Sequence, residues 1–179
     1  NQEDMKNLQV DVTSLPAKII IPFLGEIDFE EFETEQKNRL LNWNFRLESS
    51  SVEAAIYVEW ENEIKRMAHK QFVPEIAKPY LTTLQLKKII DWIENPKETY
   101  FGSISSRDAF LKMTFEEGVS NLKKRLGPNT LEWRYGQTKF KHSFMEHALG
   151  GIGTDAVSSK LNLGPLPRGG NAYTPGSTG

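Results

Sequence analysis

The sequence contains no cysteine. Disulfide bonds, thiolate zinc sites and cysteine nucleophiles are therefore excluded for this chain, while the absence is compatible with the cytoplasm and with the periplasm. Long apolar runs are missing as well. The longest local candidate covers residues 19–24 and is interrupted by Pro22, far short of the ~18 residues of a membrane-spanning helix. We therefore expect no membrane span.

An excess of one charge sign is also missing, because 22 lysines and arginines balance 24 aspartates and glutamates. This balance provides no electrostatic basis for binding nucleic acid or an anionic membrane surface. With 38% hydrophobic residues, the 179-residue chain is long enough to bury a core as one domain. It begins Asn1-Gln2, without an initiator methionine or a signal-peptide pattern, and we expect a processed or excised start.

Residues 1–128 show the apolar spacing of α-helices separated by turn residues, which predicts a mainly α fold. The clearest helix follows a capping box formed by Ser50 and Glu53. Its apolar residues recur every three or four positions: Val52, Ile56, Trp60, Ile64 and Met67. Charged residues occupy the other face, which predicts a helix that lies on the surface of a core.

Further helices are expected over residues 2–13, 14–24, 31–43, 83–94 and 105–126. Ser105 with Asp108 begins the last of them, and Gly127-Pro128 ends it because glycine permits a left-handed cap and proline cannot continue a helix. Most tryptophans fall on apolar stripes. We interpret them as core residues, with a substrate contact by one of them as the alternative: Trp43, Trp60, Trp92 and Trp133.

The helical spacing of apolar residues ends before residue 129, and we divide the chain into three parts. Residues 1–128 form the helical body, and residues 129–163 form an aromatic and glycine-containing segment of helix and loop. Residues 164–179 are a tail rich in glycine and proline without helical periodicity. The pattern predicts an irregular or β-like extension after the helices.

Two histidines, His142 and His147, flank Glu146 but lie five residues apart. A helical zinc pair needs a spacing of four, so this spacing argues against a metal site. Local hydrogen bonds are the simpler interpretation for both histidines, and also for His69 on its charged helix.

The tail sequence Arg168-Gly169-Gly170-Asn171 allows two interpretations. Consecutive glycines free backbone amides that can cradle an anion, but the length and the Lys-Ser/Thr ending of a P-loop are missing. Alternatively, the glycines let this backbone pack closely against another element. No nucleophile elbow is found, and the residues alone identify no catalytic, cofactor-binding or metal-binding side chain.

Three blocks of sequence carry a resemblance to a known family. The first covers residues 3–12, followed by Ala17 and Pro22-Phe23-Leu24; the second runs from residue 126 to residue 150, and the third covers residues 164–174. Together they resemble, in order and spacing, the β-chain of the penicillin acylase (penicillin amidase) family. We assign a structural role to the motif residues that carry the resemblance: Trp133, Tyr135, Gly136, His147, Pro167, Arg168, Gly169, Gly170 and Asn171.

The resemblance implies an N-terminal nucleophile hydrolase with an αββα sandwich, made as a precursor that cuts itself into two chains. In such an enzyme the β-chain begins with a serine that is the nucleophile and, through its own α-amino group, the base. The reaction is hydrolysis of a linear amide through an acyl-enzyme, and an oxyanion hole stabilises the tetrahedral intermediates. Family substrates include penicillins, cephalosporin side chains and acyl-homoserine lactones. Many members are periplasmic, and several bind calcium.

None of this central chemistry falls on the present sequence, because the family's nucleophile serine, oxyanion asparagine and calcium carboxylates precede its first block. The resemblance therefore implies an internal β-chain segment whose partners are the α-chain and the rest of the β-chain. In this view the tail is the truncated beginning of a strand. The sequence departs from the residues that are common in the family at Lys139, Ala148 and Pro175-Gly176-Ser177. The alternative is a self-contained helical interaction module without catalysis.

Overall fold

The computed structural model describes residues 1–150 and 154–176. Residues 151–153 of the glycine-rich stretch 150–153, and residues 177–179 at the end of the tail, lie outside the described residues. Within the described ranges the chain is mainly helical, as predicted. The α-helices are α1 Gln2–Gln9, α2 Leu15–Ile20, α3 Glu31–Leu41, α4 Val52–Phe72, α5 Leu86–Glu94, α6 Ile104–Leu126 and α7 Asp155–Leu161; the strands are β1 His142–Met145 and β2 Leu163–Pro167.

The centre of the fold is the pair of long helices α4 and α6. Gly118 on α6 permits their close approach, because a Cβ at this position would lie 3.2 Å from the Cα of Trp60. The indole N–H of Trp60 donates to the Thr114 hydroxyl at 3.1 Å, so the polar atom of this buried ring is satisfied. Phe115 packs edge-on against Trp60. As predicted, tryptophans form part of the core: Trp43, Trp60, Trp92 and Trp133 are all buried.

Helix α4 lies on the surface of the core only in its second half, where Asn62, Arg66 and Lys70 are exposed. Its first half is enclosed, which corrects the prediction from the sequence. Helices α3, α5 and α6 surround it, and the residues from Ala54 to Glu61 are all buried. Its glutamates at 59, 61 and 63 therefore lose water. Each is paired with a cation instead: Glu59 with Arg125, Glu61 with Lys65, and Glu63 with Arg66. Pairing is required because an isolated buried carboxylate is strongly destabilising.

Two helix starts differ from the predicted ones by one or two residues. The α4 cap is Ser51, not Ser50, since the Ser51 hydroxyl accepts the Ala54 amide at 2.9 Å. The α6 cap is Ser103, not Ser105, since its hydroxyl accepts the Ser106 amide at 3.1 Å. Several serines lie close together in both places, so the sequence alone does not determine which of them caps the helix. The predicted stop at Gly127 is confirmed, with a φ of 95°.

Helix α1 is shorter than predicted and adds little to the core. It ends at Gln9, and the Asp11 carboxylate then accepts the Thr13 amide and hydroxyl, which turns the chain toward α2. Its apolar residues Met5 and Leu8 are exposed. The start of α2 is as predicted, because the Ser14 hydroxyl caps the Ala17 amide.

The predicted β-like extension is a two-stranded antiparallel sheet in which His142 of β1 pairs with Pro167 of β2. The sheet is largely exposed. After Pro167, the described part of the tail is irregular and returns to the helical body. None of the helices in the described ranges has the length and hydropathy needed to cross a membrane.

Candidate functional site

The loop at residues 45–51, called here the receiving loop, contacts both the aromatic segment and the tail. Phe45 has a φ of 61° and reverses the chain after α3. The loop is fixed to the start of α2, because the Ser14 amide donates to the Phe45 carbonyl and the Leu47 amide donates to the Val12 carbonyl, both at 2.9 Å. Anchored in this way, the loop presents its own backbone carbonyls as hydrogen-bond acceptors.

The aromatic segment uses two of these carbonyls. The Tyr135 amide donates to the Ser51 carbonyl at 3.0 Å, and the Gly136 amide donates to the Ser49 carbonyl at 2.6 Å. The approach at Gly136 is so close that a Cβ would lie 2.3 Å from the Cβ of Ser49. Only glycine fits there without moving the backbone. Trp133 lies fully buried nearby and donates to the Gly127 carbonyl at 2.8 Å.

The tail uses a third carbonyl of the receiving loop. The Gly170 amide donates to the Leu47 carbonyl at 2.8 Å, and a Cβ on Gly169 would lie 2.6 Å from the same oxygen. The Tyr135 hydroxyl donates to the Gly170 carbonyl at 2.7 Å. These contacts join the tail, the aromatic segment and the receiving loop into one unit. We call it the tail junction: Leu47, Ser49, Tyr135, Gly136, Gly169 and Gly170.

Of the two interpretations of the tail glycines, close packing is the correct one. The Gly170 amide is already bonded to Leu47, and the Asn171 amide donates to the Thr174 hydroxyl at 3.0 Å. Neither N–H is left for an anion. Beyond this point Thr174 is buried, and the Gly176 amide donates to the Asp11 carbonyl at 2.7 Å. From Gly169 to Gly176 the tail is therefore attached to the helical body at several points.

A buried polar cluster lies beneath the tail junction. Burial raises the pKa of both Tyr57 and Tyr135, and the Glu61 carboxylate raises each pKa further. Both phenols therefore stay protonated near neutral pH, and Tyr135 remains a hydrogen-bond donor. The Tyr57 hydroxyl and the second oxygen of Glu61 make no hydrogen bond of good geometry among the described groups, although the Ser14 and Glu61 side chains lie close enough to Tyr57 to shift its pKa. The cluster thus combines electrostatic coupling with incomplete hydrogen bonding, which is unusual for buried groups.

Local hydrogen bonds are the simpler interpretation of the histidines, and the structure shows one at His147. His147 accepts the Leu149 amide through Nδ1 at 3.1 Å, and His142 lies on strand β1. His69 donates from Nε2 to the Leu81 carbonyl at 2.6 Å, because a carbonyl can only accept. Within residues 1–150 and 154–176, no three histidine, aspartate or glutamate side chains gather into a metal site.

The structure brings together part of the sequence motif and separates the rest. Tyr135, Gly136, Gly169 and Gly170 meet at the tail junction. Pro167 is at the end of β2, and His147 lies in an exposed turn. Arg168 and Asn171 flank the junction; the Arg168 amide donates to the Lys141 carbonyl, and the Asn171 side chain accepts the Tyr173 amide.

Sequence reasoning missed the other half of the junction. Leu47 and Ser49 contribute backbone carbonyls, which any residue type can supply, so no sequence pattern marks them. The sequence pattern assigns the charged residues of α4 to its outer face, so it does not distinguish the buried Glu61 from the others. The hydrogen bonds of the tail junction hold the receiving loop, the aromatic segment and the tail together, and the buried Tyr135 hydroxyl donates one of them.

Comparison with known proteins agrees with the sequence motifs. The family model described as penicillin amidase matches residues 1–179, which is the whole chain. No curated protein matches the sequence.

Proposed function

The chain belongs to the penicillin amidase family, and from this premise we propose that it is a β-chain segment of an enzyme that hydrolyses linear amides. The observation that carries the proposal is the family match over all 179 residues. The reaction proceeds through an acyl-enzyme on an N-terminal serine, whose α-amino group serves as the base. That serine belongs to another part of the parent protein, and we assign no catalytic residue to the present chain.

The role we propose for this segment is scaffold and cleft wall. The tail junction supports it, because three chain segments are held there through backbone hydrogen bonds and glycine contacts that leave little freedom. Catalysis depends on geometry held to fractions of an ångström, and such precision requires a rigid support behind the reacting groups. A docked tail supplies a fixed starting point for whatever chain follows it.

The partners of this segment are, in our proposal, the α-chain and the remainder of the β-chain, with a small acyl amide as substrate and a periplasmic location. In the same proposal, any calcium ion is bound by the parent enzyme outside this segment. The described residues of this chain do not fit a calcium site, since no cluster of carboxylates gathers among them. No step of the reaction is therefore assigned to a metal held here.

The proposal is tested by activity measurements on the 179-residue chain and on its parent. Both are incubated with phenylacetyl and long-chain acyl amide reporters, and the released amine is measured against a buffer blank. We expect turnover by the parent and none by the chain alone. Turnover by the chain alone would refute the scaffold role. An inactive, correctly folded parent without a serine at a processing site would instead favour the interaction module.

A further inference from the structure

A cleft of about 500 Å³ lies between helix α4 and the segment that leads into α5, on the side of the molecule where the tail docks. Three positively charged or protonatable side chains of α4 form one wall: Lys65, Arg66 and His69. Thr82 and Thr83 line the cleft from the segment before α5, and Tyr173 of the tail lines it as well. None of the residues that line the cleft is acidic.

The cations are held in place from behind by buried carboxylates. The Lys65 ammonium donates to Glu61 at 2.8 Å, and the Glu61 side chain is 2% exposed. The Arg66 guanidinium lies 2.6 Å from Glu63, whose side chain is 8% exposed. Glu63 also accepts from Asn121 at 3.1 Å. These partners restrict the rotamers of two flexible side chains, and each cation retains N–H donors that are not used by its carboxylate.

The remaining walls add selectivity beyond charge. His69 donates from Nε2 to the Leu81 carbonyl, and this hydrogen bond fixes the orientation of its ring. The Lys65 ammonium also lies 5.6 Å from the centre of the Tyr173 ring. The tail therefore supplies an aromatic surface next to the cations. The cleft is several times larger than a bare carboxylate or phosphate group, and its volume is typical of sites for small organic ligands.

We propose that this cleft binds a small organic oxyanion, a carboxylate or a phosphate monoester, with its charged group on Lys65 and Arg66 and its organic part against Tyr173. Arg66 recognises the planar or tetrahedral oxygens through its guanidinium, and the threonine hydroxyls donate to the same group. Because one wall belongs to the tail, binding also stabilises the docked tail. The inference rests on the cleft and is independent of the proposed amidase role.

The test uses the full 179-residue chain and three matched probes: benzoate, phenyl phosphate, and neutral benzyl alcohol. Amide chemical shifts are followed by NMR during titration at constant ionic strength. We expect saturable shifts at Thr83 and Tyr173 with at least one of the two anions, and none with benzyl alcohol. Saturation by benzoate, by phenyl phosphate or by both identifies the oxyanion. Shifts that stay linear in concentration, or equal affinity for benzyl alcohol, would overturn the proposal.

Two variants separate a built site from general charge attraction. Arg66→Gln removes one cation while Glu63 keeps Asn121 as a partner, and the double variant Thr82→Val/Thr83→Val removes hydroxyls without changing the charge. Each should weaken binding about fivefold or more, as expected for the loss of charge-assisted hydrogen bonds. Arg39→Gln is the matched control, because Arg39 makes a similar helical ion pair with Glu35 away from the cleft. An unchanged dissociation constant in either cleft variant would overturn the proposal.

Discussion

The Tyr135 hydroxyl donates to the Gly170 carbonyl at 2.7 Å and so ties the tail to a segment 35 residues earlier in the chain. Both partners are buried, and burial keeps the phenol protonated. The bond adds to two backbone contacts of the receiving loop, which holds Gly136 through Ser49 and Gly170 through Leu47. The docked tail is therefore a part of the folded body.

Removing this hydroxyl tests its contribution. Tyr135→Phe keeps the ring but leaves the buried Gly170 carbonyl without the donor, which should lower the free energy of unfolding by about 1–2 kcal/mol. Urea denaturation followed by tryptophan fluorescence measures the change. Tyr80→Phe is the matched control, because Tyr80 is 90% exposed and should show no change. Equal unfolding midpoints for all three proteins would show that the bond contributes nothing.

The close approach at Gly136 predicts a larger effect. In Gly136→Ala the new methyl group would collide with both Cβ and Cα of Ser49, so the receiving loop must move and its hydrogen bond to Gly136 lengthens. We expect a loss of about 2–4 kcal/mol. Gly102→Ala is the control: Gly102 has a φ of 67° but open space around it, so only backbone strain of about 1–2 kcal/mol is added. A Gly136→Ala cost no larger than that of Gly102→Ala would contradict the packing argument.

The position of the α4 cap gives a matched pair of neighbouring serines. Ser51→Ala removes the acceptor of the Ala54 amide and should cost about 1 kcal/mol, whereas Ser50→Ala should change stability by less than about 0.5 kcal/mol. Thermal unfolding of the two variants measures the difference. The reverse order would place the cap at Ser50, where the sequence pattern alone put it.

The sequence predicted the helical class and most of the core because apolar periodicity responds to burial on one face. Ile56, Trp60 and Ile64 illustrate this, since all three are predicted from spacing and are buried. Periodicity predicted helix α4, but not the burial of Glu59, Glu61 and Glu63 among its apolar residues. Glu59 and Arg125 meet only through tertiary packing, so local sequence carries no signal for that pair. Glu61 and Lys65 have the i,i+4 spacing of a helical ion pair, but local sequence does not show that the Glu61 side chain is buried.

The tail junction was half predictable for a similar reason. Gly136, Gly169 and Gly170 stand out in the sequence because glycine is required wherever backbones approach closely. Their partners Leu47 and Ser49 do not stand out, because a backbone carbonyl is available at every residue. Close packing of Gly169 and Gly170 was one of two interpretations that the sequence allowed, and the receiving loop became apparent only from the fold.

The buried Glu59 predicts a pH dependence of stability. Burial raises its pKa above the ordinary value of 4.5, although the Arg125 guanidinium opposes this shift. The folded protein therefore holds the proton more tightly than the unfolded chain does, and this contribution to stability is lost as the pH rises through the folded pKa.

Glu59→Gln has no such titration, so its stability relative to the unaltered protein should improve between pH 4 and pH 7. Urea midpoints at several pH values measure this difference. Glu75→Gln is the control for the substitution itself, because the Glu75 side chain is 88% exposed. A relative stability of Glu59→Gln that falls with rising pH would mean that the Arg125 pair, and not desolvation, dominates at this position.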